Sequence, residues 1–436
     1  MKTKITNAII IKDFDSEPFL GELVIEKNKI VFVGEKSNID CENIIDAKQN
    51  IVMPGFVDVH THSAMALFKG VDSGKKLQDW LYEMQSKERL LSSSDVYYGT
   101  LLSCLEFAKN GITTINDNYH FCDYSAKAFK DFGIRAVVGI DQRYSMKKFL
   151  NEKELELKYL EMSKLSPLIT PSLYCHSIYN ADENMFSAIQ KLAGKYNGIV
   201  TTHASETLEE VGKCASQNDD MSPIELLESY GFFDKKAVVY HATNVDETDI
   251  QILAKNKVSV CANFGSNHKL ASGVAPIYQM SKYGINICLG TDGSASNNRL
   301  DMFREMYLAS TSQNILLSNA SCFKPKDVLK MATINGAKAL GLNNVGTLDE
   351  GNFADLIMLD SHGIDNTPCY DLFDNLVYSY GTEDILMTMV DGKILYQNGK
   401  YNFKKSKNTI INKVKEIQKK FTDKFYWLYE KNCNLK

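Results

Sequence analysis

Eight histidines occur in the chain, and four of them fall at the ends of apolar β-like runs. His60 and His62 close the run Pro54-Gly-Phe-Val-Asp-Val-His-Thr-His62. Side chains two apart on a strand face the same way, so both imidazoles would point into one space. Neutral imidazoles held side by side suit a borderline divalent metal. An isolated H-x-H is equally met by two histidines on a polar strand surface, so other residues must decide. His203 ends the apolar run Gly198–Thr202 and is followed three residues later by Glu206; His241 ends Ala237–Tyr240. Asp292 follows Ile285–Leu289 within Gly290-Thr-Asp-Gly293. A strand-end histidine is often a capping residue and an Asp before Gly is often a turn, but four such coincidences point to one site. Three imidazoles and one carboxylate leave room for a water, and the chemistry that follows is metal-assisted hydrolysis.

Such residues need a scaffold that collects strand ends. Between about residues 110 and 290, short apolar strands alternate with helical patterns: Ile112–Ile115, Arg135–Ile140, Leu168–Leu173, Gly198–Thr202, Ala237–Tyr240, Val258–Cys261 and Ile285–Leu289. Alternation of this kind predicts a parallel sheet with crossover helices, and eight units close a barrel whose active site lies where the strands stop. The flanks read differently. Leu23–Glu26 and Lys29–Val33 flank Lys27-Asn28 as a hairpin, and Leu386–Val390 and Lys393–Tyr396 flank Asp391-Gly392, a dipeptide that tolerates positive φ at both residues. The expected architecture is α/β: a (β/α)₈ TIM-type barrel over residues 55–345, with a small β-sandwich built from residues 1–54 and 346–405. A helix over 406–436 follows, with Ile410, Val414, Ile417, Phe421, Phe425 and Leu428 as an apolar stripe packed on the barrel or on a partner subunit.

Composition narrows the classes. The chain of 436 residues is 44% apolar and 24% charged with net charge −5, a soluble globular balance without a basic run to track nucleic acid. The ten cysteines include no C-x-x-C pair, which favours free thiols in a reducing cytoplasm over a disulfide framework. No apolar stretch approaches the roughly 18–20 residues of a bilayer span, and the N-terminus lacks a signal-peptide core.

The motifs also resemble a known family. Pro54–His62 followed by Ser63-Ala-Met-Ala-Leu-Phe-Lys-Gly70 and Leu77-Gln-Asp-Trp-Leu81 is similar to the amidohydrolase superfamily. More narrowly it resembles the branch of methylthioadenosine/S-adenosylhomocysteine deaminases and triazine chlorohydrolases. His203-Ala-Ser-Glu206, Ser266-Asn267-His-Lys-Leu-Ala-Ser-Gly273, Gly290-Thr-Asp-Gly-Ser-Ala-Ser-Asn-Asn298 and Gly351-Asn-Phe-Ala-Asp-Leu356 agree, so the resemblance spans essentially the whole chain. It implies that His60, His62, His203 and Asp292 bind one divalent ion, usually zinc, with ferrous iron as the alternative. No lysine lies in Ile169–Tyr174, where bimetallic relatives carry a carbamylated bridge, so one metal is expected. Glu206 is implied as general acid, His241 as partner of the attacking water, and Asp292 as ligand and proton acceptor. His176 would contact the substrate ring and Glu88 ribose hydroxyls; Trp80, Asn263 and Phe264 are further substrate-binding candidates. The expected substrate is a small amino-heterocycle such as a purine nucleoside, and family likeness implies a homodimer or larger assembly.

Some positions depart from the pattern. Ala262-Asn263-Phe264 stands where the family has His-Asn-Pro, Ile140 replaces an expected arginine, and Arg143 is out of register with it. Hydrolysis of a C–Cl, C–S or ring amide bond is therefore a competing expectation, and a non-catalytic homologue is a third. His120, His268 and His362 read as ordinary structural histidines, with Tyr119-His120, which follows a strand end, as an alternative edge of the pocket.

Overall fold

The computed structural model describes residues 2–71 and 74–433, with side chains described as far as Phe421 in the last helix. Eight parallel strands run in chain order around a barrel sheet: Phe56–Thr61, Ile112–Asn118, Arg135–Ile140, Ile169–Tyr174, Val200–Ala204, Ala237–His241, Ser259–Ala262 and Ile287–Leu289. Both faces are buried, which is why these segments read as apolar runs instead of alternating ones. Val138, Val239 and Val260 pack in the cluster that includes the surrounding helices, while their neighbours Val137, Val238 and Cys261 pack in a second cluster. That is the period of two expected of a strand.

The seam between the eighth and first strands is sewn partly by side chains. The Asp292 amide donates to the His60 carbonyl at 2.8 Å. The buried Asp58 carboxylate accepts from the Thr291 amide at 2.9 Å and the Thr291 hydroxyl at 2.6 Å. The aspartate inside the His-containing run thus holds the barrel closed beneath the histidines.

The two flanking segments meet in one continuous mixed sheet of nine strands. Ile51–Pro54 pairs antiparallel with Leu356–Leu359, register Leu356↔Pro54, so the chain leaves this sheet for the barrel and returns to the neighbouring strand. Ile5, Leu23, Ile25, Val52, Leu356 and Met387 share one buried cluster there. Asp391 (φ 53°) and Gly392 (φ 73°) form the tight turn between Ile385–Val390 and Lys393–Gln397. Arg135, at the start of the third barrel strand, ties that turn to the barrel. Its guanidinium donates to both Asp355 oxygens at 2.6 and 3.2 Å and to Asp391 at 3.4 Å.

Helix Lys407–Cys433 lies against the barrel mouth. Ile417 and Phe421 join the cluster of Phe68, Leu77, Trp80 and Met84, and the Phe68 and Phe421 rings meet edge to face at 5.4 Å. Ile410 is buried and Val414 half-buried; Phe425 and Leu428, the rest of the stripe, lie outside the described side chains. The helix packs on Ser93–Lys109 and braces Ser63–Phe68, a segment that walls the site described next.

Candidate active site

Where the strands stop, the backbone turns sharply. His241, Ala242, Asp292 and Ser205 have φ of 69°, 45°, 59° and 52°, in the left-handed region that non-glycine residues rarely enter. Such conformations cost about 1–3 kcal/mol each and persist where surrounding structure holds them. Here they lift side chains out of the sheet into a common space.

Two overlapping triads of donor atoms result, His60–His62–Asp292 and His60–His203–His241, each with its atoms within 4.8 Å of one another. The Nε2 atoms of His60 and His203 are 3.1 Å apart, and Asp292 Oδ1 is 3.3 Å from His60 Nε2 and 3.4 Å from His62 Nε2. Ligands at about 2.0–2.1 Å in a tetrahedral shell stand roughly 3.4 Å apart, so these separations suit one zinc-sized ion. Protonation suits it as well. Nδ1 of His62 donates to the Asn118 carbonyl at 2.5 Å, and Nδ1 of His203 donates to the His176 carbonyl at 2.7 Å. A carbonyl can only accept, so each Nε2 presents its lone pair. His60 has no Nδ1 partner among the described residues, and its ring stacks on Tyr240 at 3.8 Å.

Electrostatics sort the groups by role. Burial and neighbouring histidines push His60 to about 3 and His203 well below the usual imidazole range, so both are neutral at neutral pH. Burial disfavours ionised Asp292, but the hydrogen bond of His60 and the imidazoles of His62 and His241 around it hold it well below the usual carboxylate range. The Gly293 amide and the Ser296 hydroxyl donate to it at 2.7 and 2.9 Å. Glu206 goes the other way. Burial, then the charges of Asp292 and Glu210, raise it well above the usual range and so favour its protonated form, with Oε2 3.7 Å from His241 Nε2. A carboxylate acceptor and a carboxylic acid donor thus share one site, a pairing that acid–base hydrolysis requires. His241, pushed to about 4 by burial, accepts at Nδ1 from the Asn267 amide at 2.9 Å, which leaves the proton on Nε2.

A cavity opens over this cluster, lined by His62, His203, Glu206, His241 and Asp292 at one end. Trp80, Glu88 and His176 also line it. The Trp80 indole N–H is buried with no partner among the described residues. Nδ1 of His176 accepts from the Asn180 amide at 3.1 Å, which leaves Nε2–H as a donor. Asn263 and Phe264 do not line the cavity. The seventh strand ends at Ala262, and Asn263 donates to the Gly290 carbonyl at 2.9 Å while helix Phe264–Lys269 turns the Phe264 ring into the apolar core.

The wall around Glu88 includes the Tyr119-His120 pair that follows a strand end. His120 faces Glu88, Nε2 to Oε2 3.8 Å, and the Tyr119 hydroxyl donates to Glu88 Oε1 at 2.7 Å. Burial opposes ionisation of Glu88, yet His120 and Tyr119 bring it below the usual carboxylate range. Asp141 and Arg143 join the same wall, Arg143 donating to the Asn180 carbonyl at 3.2 Å. Their one sequence signal was position, each lying just beyond a barrel strand. His268 is held by the Ser312 hydroxyl at 3.3 Å and His362 by the Lys48 carbonyl at 2.9 Å, both away from the cavity.

A parallel barrel with histidines and acids converging at its strand ends defines a barrel hydrolase. The chain belongs to the amidohydrolase family, whose model matches residues 51–395. It is 36% identical over 404 residues to a 5-methylthioadenosine/S-adenosylhomocysteine deaminase of Thermococcus onnurineus, covering 91% of this chain and 94% of that one. It is 36% identical over 394 residues to a 5'-deoxyadenosine deaminase of Methanosarcina mazei, covering 87% and 88%. Among solved structures, an adenosine deaminase from Xanthomonas campestris with bound zinc superposes with a TM-score of 0.91 at 26% identity, covering 97% of this chain and 98% of that one.

Proposed function

We propose that this protein is a metal-dependent aminohydrolase that converts the C–NH₂ of an adenosine-type purine nucleoside to C=O and releases ammonia. The observation that carries the reading is the buried Glu206 carboxyl, 3.7 Å from His241 and lining the same cavity as the His60–His62–Asp292 donor cluster. Relatives named for deamination of adenosine derivatives support it. His60, His62, His203 and Asp292 would hold one divalent ion, with zinc supported by the related adenosine deaminase. When bound, such an ion supplies Lewis acidity that makes water a nucleophile near neutral pH.

The chain's own groups carry the protons. Asp292 accepts a proton from the attacking water, and His241 orients that oxygen through Nε2–H. Glu206 protonates the ring nitrogen beside the amino-bearing carbon, so negative charge does not build on the ring as the C–O bond forms. The proton held by Asp292 passes to the amino group, the C–N bond breaks and ammonia leaves, while the new hydroxyl gives up its remaining proton, which restores Glu206, to become C=O. His176 donates to another ring nitrogen, Trp80 packs the base, and Glu88 accepts from ribose hydroxyls.

The free cysteines support a reducing cytoplasmic setting, and family likeness supports a homo-oligomer. Among the described residues no helix is long and apolar enough to cross a membrane. The test is ammonia release by zinc-loaded protein across adenosine, methylthioadenosine, 5'-deoxyadenosine, S-adenosylhomocysteine, guanine, a pterin and an amino-triazine. Turnover confined to the adenosines is expected; turnover of the triazine alone would overturn the reading.

A further inference from the structure

Helix Leu208–Gln217 begins with Thr207-Leu-Glu-Glu210, the T-x-x-E pattern of a capping box. Half of that box forms: the Thr207 hydroxyl accepts from the Glu210 amide at 3.1 Å. The Glu210 side chain does not return to the Thr207 amide. It reaches past it, Oε1 accepting from the Ser205 amide at 3.2 Å and Oε2 from the Glu206 amide at 2.7 Å. These two amides are the first beyond the fifth barrel strand, where the ladder has ended and Ser205 has turned to φ 52°. Glu210 is only 3% exposed, so two buried donors and one buried carboxylate satisfy one another. From the opposite side the Asn244 amide donates to the Glu206 carbonyl at 2.8 Å and to the Ser272 carbonyl at 3.1 Å.

Resting on the deaminase reading for its catalytic part, we infer that Glu210 is a positioning residue for Glu206: its two oxygens clamp the strained turn that aims the acid into the cavity. Only a carboxylate of this length accepts from both amides. Glutamine offers one oxygen and sets an NH₂ against the second amide.

The test has two arms. Amide hydrogen exchange needs no substrate: in E210Q, exchange at Ser205 and Glu206 should rise about tenfold, matching the loss of one buried hydrogen bond. E210D, which keeps the charge but retracts the oxygens, should give the same local rise and serves where E210Q does not fold. The second arm is a double-mutant cycle on deamination. E210Q should lower kcat by about 10–100-fold with KM and bound zinc unchanged, yet cost nothing further on an E206Q background. Unchanged exchange at both amides, or an equal loss with and without Glu206, would overturn the inference. An absence of ammonia from every adenosine would instead defeat the deaminase reading and leave the exchange arm to decide the clamp.

Discussion

His60 and His203 face each other through Nε2 atoms 3.1 Å apart, and His203 has already committed its Nδ1 proton to the His176 carbonyl. The His203 lone pair therefore faces His60 Nε2, where a neutral His60 can supply an N–H or both rings can hold one cation. Burial opposes a positive charge on either ring, and the Asp292 carboxylate oxygen, 3.3 Å from His60 and 3.4 Å from His62, makes a shared cation the better partner. Metal should therefore stabilise the fold measurably. Free zinc at about a hundred times its Kd contributes about 2.7 kcal/mol, and H203A should abolish the gain. Thermal melts with zinc, with chelator, and of H203A check this; superimposed wild-type melts with and without metal would count against it.

Glu206 to Gln retains the shape of the acid and removes its transferable proton. Zinc content and melting temperature should match the parent, while kcat falls by about 10²–10⁴-fold, the usual contribution of a positioned acid. Steady-state kinetics with metal analysis on the same sample decide the point.

Glu88 is ionised and held by Tyr119 at 2.7 Å, with His120 beside it. If it accepts from ribose, E88Q should raise KM for the nucleoside by about 10–100-fold, the value of a hydrogen bond to a charged group. Turnover of the free base should be unaffected. Equal losses for nucleoside and base would make Glu88 a structural carboxylate.

Glu305 is wholly buried below the site, accepting from the Gly265 amide at 3.0 Å and the Asn297 amide at 2.9 Å. Burial pushes its carboxyl up to about 8 from an ordinary 4.5. The folded state then binds this proton more tightly than the unfolded state does. Its contribution is complete below the unfolded pKa of 4.5 and is lost as pH rises through 8. The melting temperature of the parent should fall between about pH 5 and 8 more steeply than that of E305Q. Parallel profiles would contradict the shift.

The metal-binding candidates were legible because histidines and an aspartate recur at or just past the ends of successive apolar runs. His203 and His241 lie at or near the ends of their strands, as that pattern required, and Asp292 lies three residues past Leu289. Asp58 was not legible. Its spacing matches the histidines that follow, yet its carboxylate serves the barrel seam through Thr291, a residue 233 positions away. The Glu88 wall was half legible, because His120, Asp141 and Arg143 reach it only after helix Leu77–Glu88 folds over the mouth. Phe264 shows the converse: its closeness in sequence to a strand end suggested a pocket wall, and one helical turn carried the ring into the core.

The most direct test of the central claim is a titration of metal-free protein with zinc while ammonia release from an adenosine derivative is followed. Activity should be absent without metal, rise linearly, and level off at about one ion per chain, with the E206Q variant binding the same equivalent silently. Ammonia released without metal, or one equivalent bound with no ammonia from any adenosine derivative, would contradict the account.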